Sequence, residues 1–232
     1  MTKEELVKNS PVRLFEKSIG GGLKSGEMGI LASPRGVGKT PVLVQLALDR
    51  LLQGKKVIHV SFAQPKQQNV FVWYDDIFDE FTKNKNLDDR DDIKSEIAKN
   101  RVLMNFCQDT ASHDMVFKSL RAMITDGGFC ADTLVVDGFD FSATDRGYIE
   151  KAKEFASDTG LSIWCNCTVN PEAGYSDKKT PVAVKAFEDL IDVVIVLEPK
   201  SDCVELSVSK DRQANPAKGT VAKFDPKSLL LS

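Results

Sequence analysis

No apolar run in this chain of 232 residues approaches the roughly 20 that a helix needs to cross a bilayer. The longest, such as residues 133–136 and 193–197, are strand-sized. The opening Met1-Thr2-Lys3-Glu4-Glu5 lacks an apolar signal region, so a cytoplasmic location is expected. A surplus of positive charge is also missing. Lys and Arg number 31 against 34 Asp and Glu, for a formal net charge of −3, which leaves no general attraction for nucleic acid. DNA is therefore not an expected partner unless a local basic patch forms. The five cysteines (107, 130, 165, 167 and 203) are scattered and odd in number, as suits a reducing compartment rather than a disulfide framework. Neither His nor further Cys stands close to Cys165 and Cys167, so that pair reads as small core hydrophobes and not as a metal site. Of the two histidines, His59 lies inside a strand pattern and reads as a core residue, and His113 carries no assignment. Repeats, low-complexity tracts and linkers are lacking as well. What remains is an ordinary globular composition, 42% hydrophobic and 28% charged, long enough for a single large core. The simplest organisation is an N-terminal segment with a glycine-rich lead-in over 1–26, then an α/β domain over 27–232.

Strand and helix patterns alternate along the chain, which predicts a mostly parallel central sheet covered by helices on both faces. Residues 1–18 are polar and partly helical. A first strand is expected near 27–32, a helix over 40–53 with Val42, Leu43, Leu46, Ala47 and Leu51 on one face, and a second strand over 57–62. Gly54 reads as the C-cap of that helix. Two helices follow within 68–99, then a strand at 102–107, a helix at 114–125 and a short apolar strand at 133–137. A helix at 144–158, a strand at 161–168, a helix near 182–190 and a strand at 192–197 complete the alternation. Residues 203–209 and 220–224 alternate like a C-terminal antiparallel hairpin.

Between the first strand and its helix stands Gly36-Val37-Gly38-Lys39-Thr40. The glycines let consecutive N–H groups curl inward around a phosphate, and the helix adds its positive N-terminal end. Lys39 would reach the β- and γ-phosphates, and the Thr40 hydroxyl would bind Mg²⁺. Pro41 falls in the first helical turn, where its missing N–H costs little. The usual pattern opens on glycine where this chain has Ser33. The expected nucleotide-binding loop thus comprises Ser33, Pro34, Arg35, Gly36, Val37, Gly38, Lys39, Thr40 and Pro41, with ATP and Mg²⁺ as ligands. A second carboxylate is needed for the metal's water shell. Leu134-Val135-Val136-Asp137 supplies one, at the strand end where open α/β sheets bind ligands.

Three segments together resemble the RecA-like ATPases, in particular their KaiC/RadA branch. They are Ile19-Gly20-Gly21-Gly22-Leu23-Lys24-Ser25-Gly26, the loop with its following Val60-Ser61-Phe62 strand end, and Lys210-Asp211-Arg212 in the terminal hairpin. The resemblance spans roughly 19–225. It implies a RecA-like P-loop NTPase fold and a homo-oligomer, ring or dimer, with sites at subunit interfaces. Lys210 and Arg212 would then act in trans on a neighbour's nucleotide, and Thr168, or else Asn170, would sense the γ-phosphate. One departure stands out: the family carries Glu-Glu after the Val-Ser-Phe strand, and this chain has Ala63-Gln64. Gln64 can orient a water but takes a proton poorly. Asp140, near the same sheet edge, is the alternative base. The resemblance therefore implies ATP binding with slow or partner-stimulated hydrolysis, as a regulatory switch or motor acting on a protein partner. A non-hydrolysing nucleotide sensor or scaffold remains open, favoured by Ala63-Gln64. So does a ParA/MinD-like ATPase, whose "KGGVGKT" motif Arg35 to Thr40 also resembles. Against the latter, Pro34 holds the signature lysine's place.

The aromatic residues Phe71, Trp73, Tyr74 and Phe78 have helical spacing, which points to core or subunit packing; Tyr74 or a neighbour stacking on adenine is the lesser alternative. Acidic residues within 88–92 read as a solvated helix start. Lys178 and Lys179 are too few to indicate DNA binding.

Overall fold

Residues 1–62, 70–107, 110–176, 180–212, 216 and 218–232 are described by the computed structural model. Two short helices, α1 (Lys3–Lys8) and α2 (Pro11–Ser18), precede the sheet. The chain then runs β1 (Met28–Ser33), α3 (Lys39–Leu52), β2 (Val57–Ser61), α4 (Val70–Thr82), α5 (Arg90–Lys99), β3 (Arg101–Asn105) and α6 (His113–Arg121). After these come β4 (Thr133–Asp137), α7 (Arg146–Thr159), β5 (Ser162–Thr168), β6 (Val193–Pro199), β7 (Val204–Asp211), β8 (Thr220–Asp225) and β9 (Leu230–Leu231). The nine strands among the described residues form one sheet in the order β3-β2-β4-β5-β1-β6-β7-β8-β9. From β3 through β6 the pairing is parallel, and β7, β8 and β9 each pair antiparallel with the strand before. This is the α/β architecture with a C-terminal antiparallel hairpin that the sequence pattern predicts. None of the described helices is long and apolar enough to cross a membrane.

Parallel strands are covered on both faces, so they read as unbroken apolar runs. Every residue of β1 and β2 is buried. One face packs on α1 to α5 through Leu6, Phe15, Leu43, Leu51, Tyr74 and Phe78. The other packs on α6 and α7 through Val116, Leu120, Ile149 and Phe155. Helix α3 is buried almost all round, including Gln45 and Asp49, because α2, α4 and β9 close over the side that would otherwise meet solvent. Asp49 is held there by Arg13, and Arg13 and Arg50 also pair with Glu16 at 2.8 and 3.0 Å.

Several boundaries differ from the sequence pattern. α7 begins at Arg146 because Asp145 caps it, accepting from Tyr148 N at 2.8 Å. α6 is capped by Ser112 and passes into a π turn at Ala122–Asp126. Residues 182–190 form 3-10 turns broken at Phe187 (φ −135°), not a continuous α-helix. The β9 strand was not anticipated, and the thiols of Cys165 and Cys167 are both buried in the core, as expected.

Candidate functional site

The parallel strands all end at one edge of the sheet. The chain leaves β1 toward β2 on one flank and later returns to β6 on the other, so β1 sits at the kind of switch point where open α/β sheets bind ligands. A cleft of about 1700 Å³ runs along this edge, with residues 35–41 at its centre. Gly38, the N-cap of α3, has φ 110°, and a Cβ there would stand 2.5 Å from the Phe224 ring. Both facts restrict the position to glycine. Because Gly38 brings no side-chain cap, the first N–H groups of α3 face the cleft mouth without one. Lys39 folds back over the loop, donating to the Ser33 carbonyl (3.0 Å), Ser33 Oγ (3.3 Å) and the Pro34 carbonyl (2.8 Å). Its burial pushes the ammonium pKa down to about 8.

Register brings the second half of the site to the first. β4 lies two strands from β1, and its last residue, Asp137, accepts from Thr40 Oγ1 at 3.1 and 2.9 Å. Asp137 is buried, and burial raises its carboxyl pKa against the opposing pull of Thr40, Asn166 and the Lys39 charge. Asn166 clasps the turn from β5: its Nδ2 donates to Asp137 Oδ1, and its Oδ1 accepts from Gly138 N at 2.9 Å. Sequence reading missed Asn166. The available signal was a lone amide between two cysteines in an apolar strand, facing opposite to their thiols.

Other expected residues fall around the cleft. Thr168 ends β5 directly beside Ser33, exposed and lining the cleft, as does Asn170. Asp140 also lines it, with Oδ1 accepting from Ser142 N (2.9 Å) and Ser142 Oγ (2.6 Å). Gln64 lies outside the described residues, as do Lys178 and Lys179. Tyr74 is not on the cleft. It is buried, bonded to His59 Nδ1 at 3.0 Å and covered by the Arg101 guanidinium at 4.3 Å, so for Tyr74 itself adenine stacking is corrected to a core role. Its neighbour Trp73 lines the cleft instead.

Lys210 and Arg212 are not brought to the glycine-rich loop. β7 runs antiparallel to β6 and sets Asp211 against Val193, so both lie at the edge where the parallel strands begin. Lys210 donates to the Glu188 carbonyl. Arg212 forks onto Glu27 at 2.7 and 2.6 Å and donates further to the Ile19 and Gly22 carbonyls and to Asp211.

Among the described residues no cluster of three or more His, Cys, Asp or Glu could cage a metal. One hydroxyl and one buried carboxylate suit Mg²⁺, which keeps several waters and takes its remaining ligands from phosphate oxygens. No family model matches the chain, and no curated protein is significantly similar to it.

Proposed function

We propose that this chain is an ATP·Mg²⁺-binding ATPase core of the RecA/KaiC-like kind. The observation that carries the reading is the bond between Thr40 and the buried Asp137, directly beside a glycine-curled loop at the uncapped start of α3. A free carboxylate in that place would repel a bare phosphate. A hydroxyl and carboxylate together would instead hold a hydrated Mg²⁺, which neutralises the charge of the β- and γ-phosphates. Lys39 exchanges its loop carbonyls for phosphate oxygens, and Asn166 keeps Asp137 aimed while this happens. The homo-oligomer, ring or dimer, and the protein partner belong to the same proposal and rest on the glycine lead-in and the Lys210-Asp211-Arg212 resemblance.

Hydrolysis is slow in this reading. Besides Asp137, the described cleft residues offer Asp140 and Asp202 as carboxylates. Asp202 belongs to the turn between β6 and β7, away from Asp137, and Asp140 already spends one oxygen on Ser142. That same observation favours the second reading, a nucleotide sensor that does not hydrolyse. Calorimetric titration with ATP and Mg²⁺, run beside a phosphate-release assay, tests both. Lys39→Ala is expected to weaken binding at least about tenfold, the worth of charge-assisted bonds to phosphate. A folded Lys39→Ala protein binding ATP as tightly as the wild type contradicts the proposal. Bound ATP with no phosphate released selects the sensor.

A further inference from the structure

A second, separate cavity of about 40 Å³ lies on the other side of the turn that carries Asp137, between the sheet and helices α6 and α7. The strands give it a floor of Val60, Leu134 and Ile163, and the helices give it walls of Val116, Leu120 and Ala152. Local sequence explains the space. Ile149 and Phe155 are large residues on the buried face of α7, and the alanine between them leaves room at the middle of that face.

Aromatic rings complete the lining. Phe117, Phe139 and Tyr148 are half-buried and pack on one another, with Tyr148 centred 5.1 Å from Phe117 and 5.4 Å from Phe139. Phe62, Phe139 and Phe141 line both this cavity and the cleft, so their rings are the partition between the two. Phe139 stands 5.8 Å from Phe62 and 4.8 Å from Phe141, centroid to centroid. It directly follows Gly138, whose N–H is held by Asn166 Oδ1 at 2.9 Å. That turn has no slack, since a Cβ on Gly138 would stand 2.9 Å from the Phe62 carbonyl oxygen. A displaced Phe139 ring therefore pushes on the Asp137 turn instead of being absorbed locally.

The lining sets the ligand. Apart from the Tyr148 hydroxyl and the Cys165 thiol its side chains are hydrocarbon or thioether, and none of the described buried polar atoms left without a partner belongs to it. Water needs several polar partners, so a cavity of this kind stays dry, and its size admits about three water-sized spheres. Ions and sugars would lose their hydration there with nothing in return. We infer that this cavity is a binding site for one small, uncharged, apolar molecule of about three heavy atoms. Its occupancy is felt at Asp137 through Phe139. The inference stands independently of the nucleotide reading.

Xenon, which is apolar and fits such cavities, is the probe. NMR of the isotope-labelled full chain under xenon is expected to show saturable shifts at the Val60 and Ile163 methyls and at the Gly138 amide. Ala152→Leu, which fills the cavity, is expected to abolish them while its melting temperature stays level or rises. A melting temperature lowered by several degrees shows that there was no room to fill and counts against the site. Leu120→Ala works in the opposite direction, enlarging the cavity so that it also admits benzene. No saturable shift in the wild type, shifts that persist in Ala152→Leu, or a folded Leu120→Ala protein that excludes benzene each overturn the site. Methyl shifts without one at Gly138 overturn the link to Asp137.

Discussion

Lys39 gives the loop a pH signature. In the free protein it is buried against carbonyls, and burial holds its pKa near 8. In the proposed complex a bound phosphate would supply the missing negative charge and return the ammonium to its ordinary range. Above pH 8 the free site has lost a proton that the liganded site keeps, so binding must take one up. Affinity is then flat below pH 8 and falls above it, approaching about tenfold per pH unit. Titration calorimetry from pH 7 to 9.5 reads this directly, and an affinity unchanged through pH 9.5 contradicts it. That Lys39, Thr40 and Asp137 stand close together was legible in the sequence, because a glycine-rich turn before a helix and a carboxylate at a strand end are set by local spacing. Asn166 was not, since its partner lies 29 residues away and meets it through the register of β4 on β5. Tyr74 was open to misreading because helical spacing marks a buried face without saying what the face meets. Here that is His59 on β2.

At the scale of elements, α3 joins the loop to the last strand. Gln45, buried in its middle, satisfies the Leu229 carbonyl and the Leu231 N–H at once. Gln45→Ala would leave both backbone groups unpaired in the interior, at a cost of about 2–3 kcal/mol. Urea unfolding measures that loss, and a change below about 0.5 kcal/mol, the size of an ordinary surface substitution, shows the anchor to be dispensable. The strands of the parallel sheet were legible because each is a short apolar run between turn residues. β9 was not, because two residues show no periodicity; pairing with β8 and the Gln45 bonds define it. The pattern over 182–190 promised a helix, but the chain kinks at Phe187, whose side chain is buried against the α7 side of the sheet.

For the whole molecule, alternation of patterns foretold a parallel sheet but not the order of its strands. That order puts β4 and β5 between β2 and β1, and so carries Asp137 and Thr168 to the loop. The same topology sends Lys210 and Arg212 to the opposite edge, where all of Arg212's nitrogens are engaged within the chain. A contribution in trans would require Arg212 to surrender Glu27 and two carbonyls, or a neighbour to approach that edge. Nothing in the local sequence distinguishes these cases, because an exposed charged turn and an intramolecular clasp use the same residues. At the other edge, Thr40 and Asp137 are proposed to grip a Mg²⁺-bound nucleotide. The measurement that tests it most directly is ATP affinity with and without Mg²⁺, for the wild type and for Asp137→Asn. The wild type is expected to gain affinity with Mg²⁺, and the variant to lose about ten- to a hundredfold of metal-linked binding, as for other residues that act through a metal's outer shell. A wild type that ignores ATP, or a variant that keeps the full Mg²⁺ gain, would contradict it.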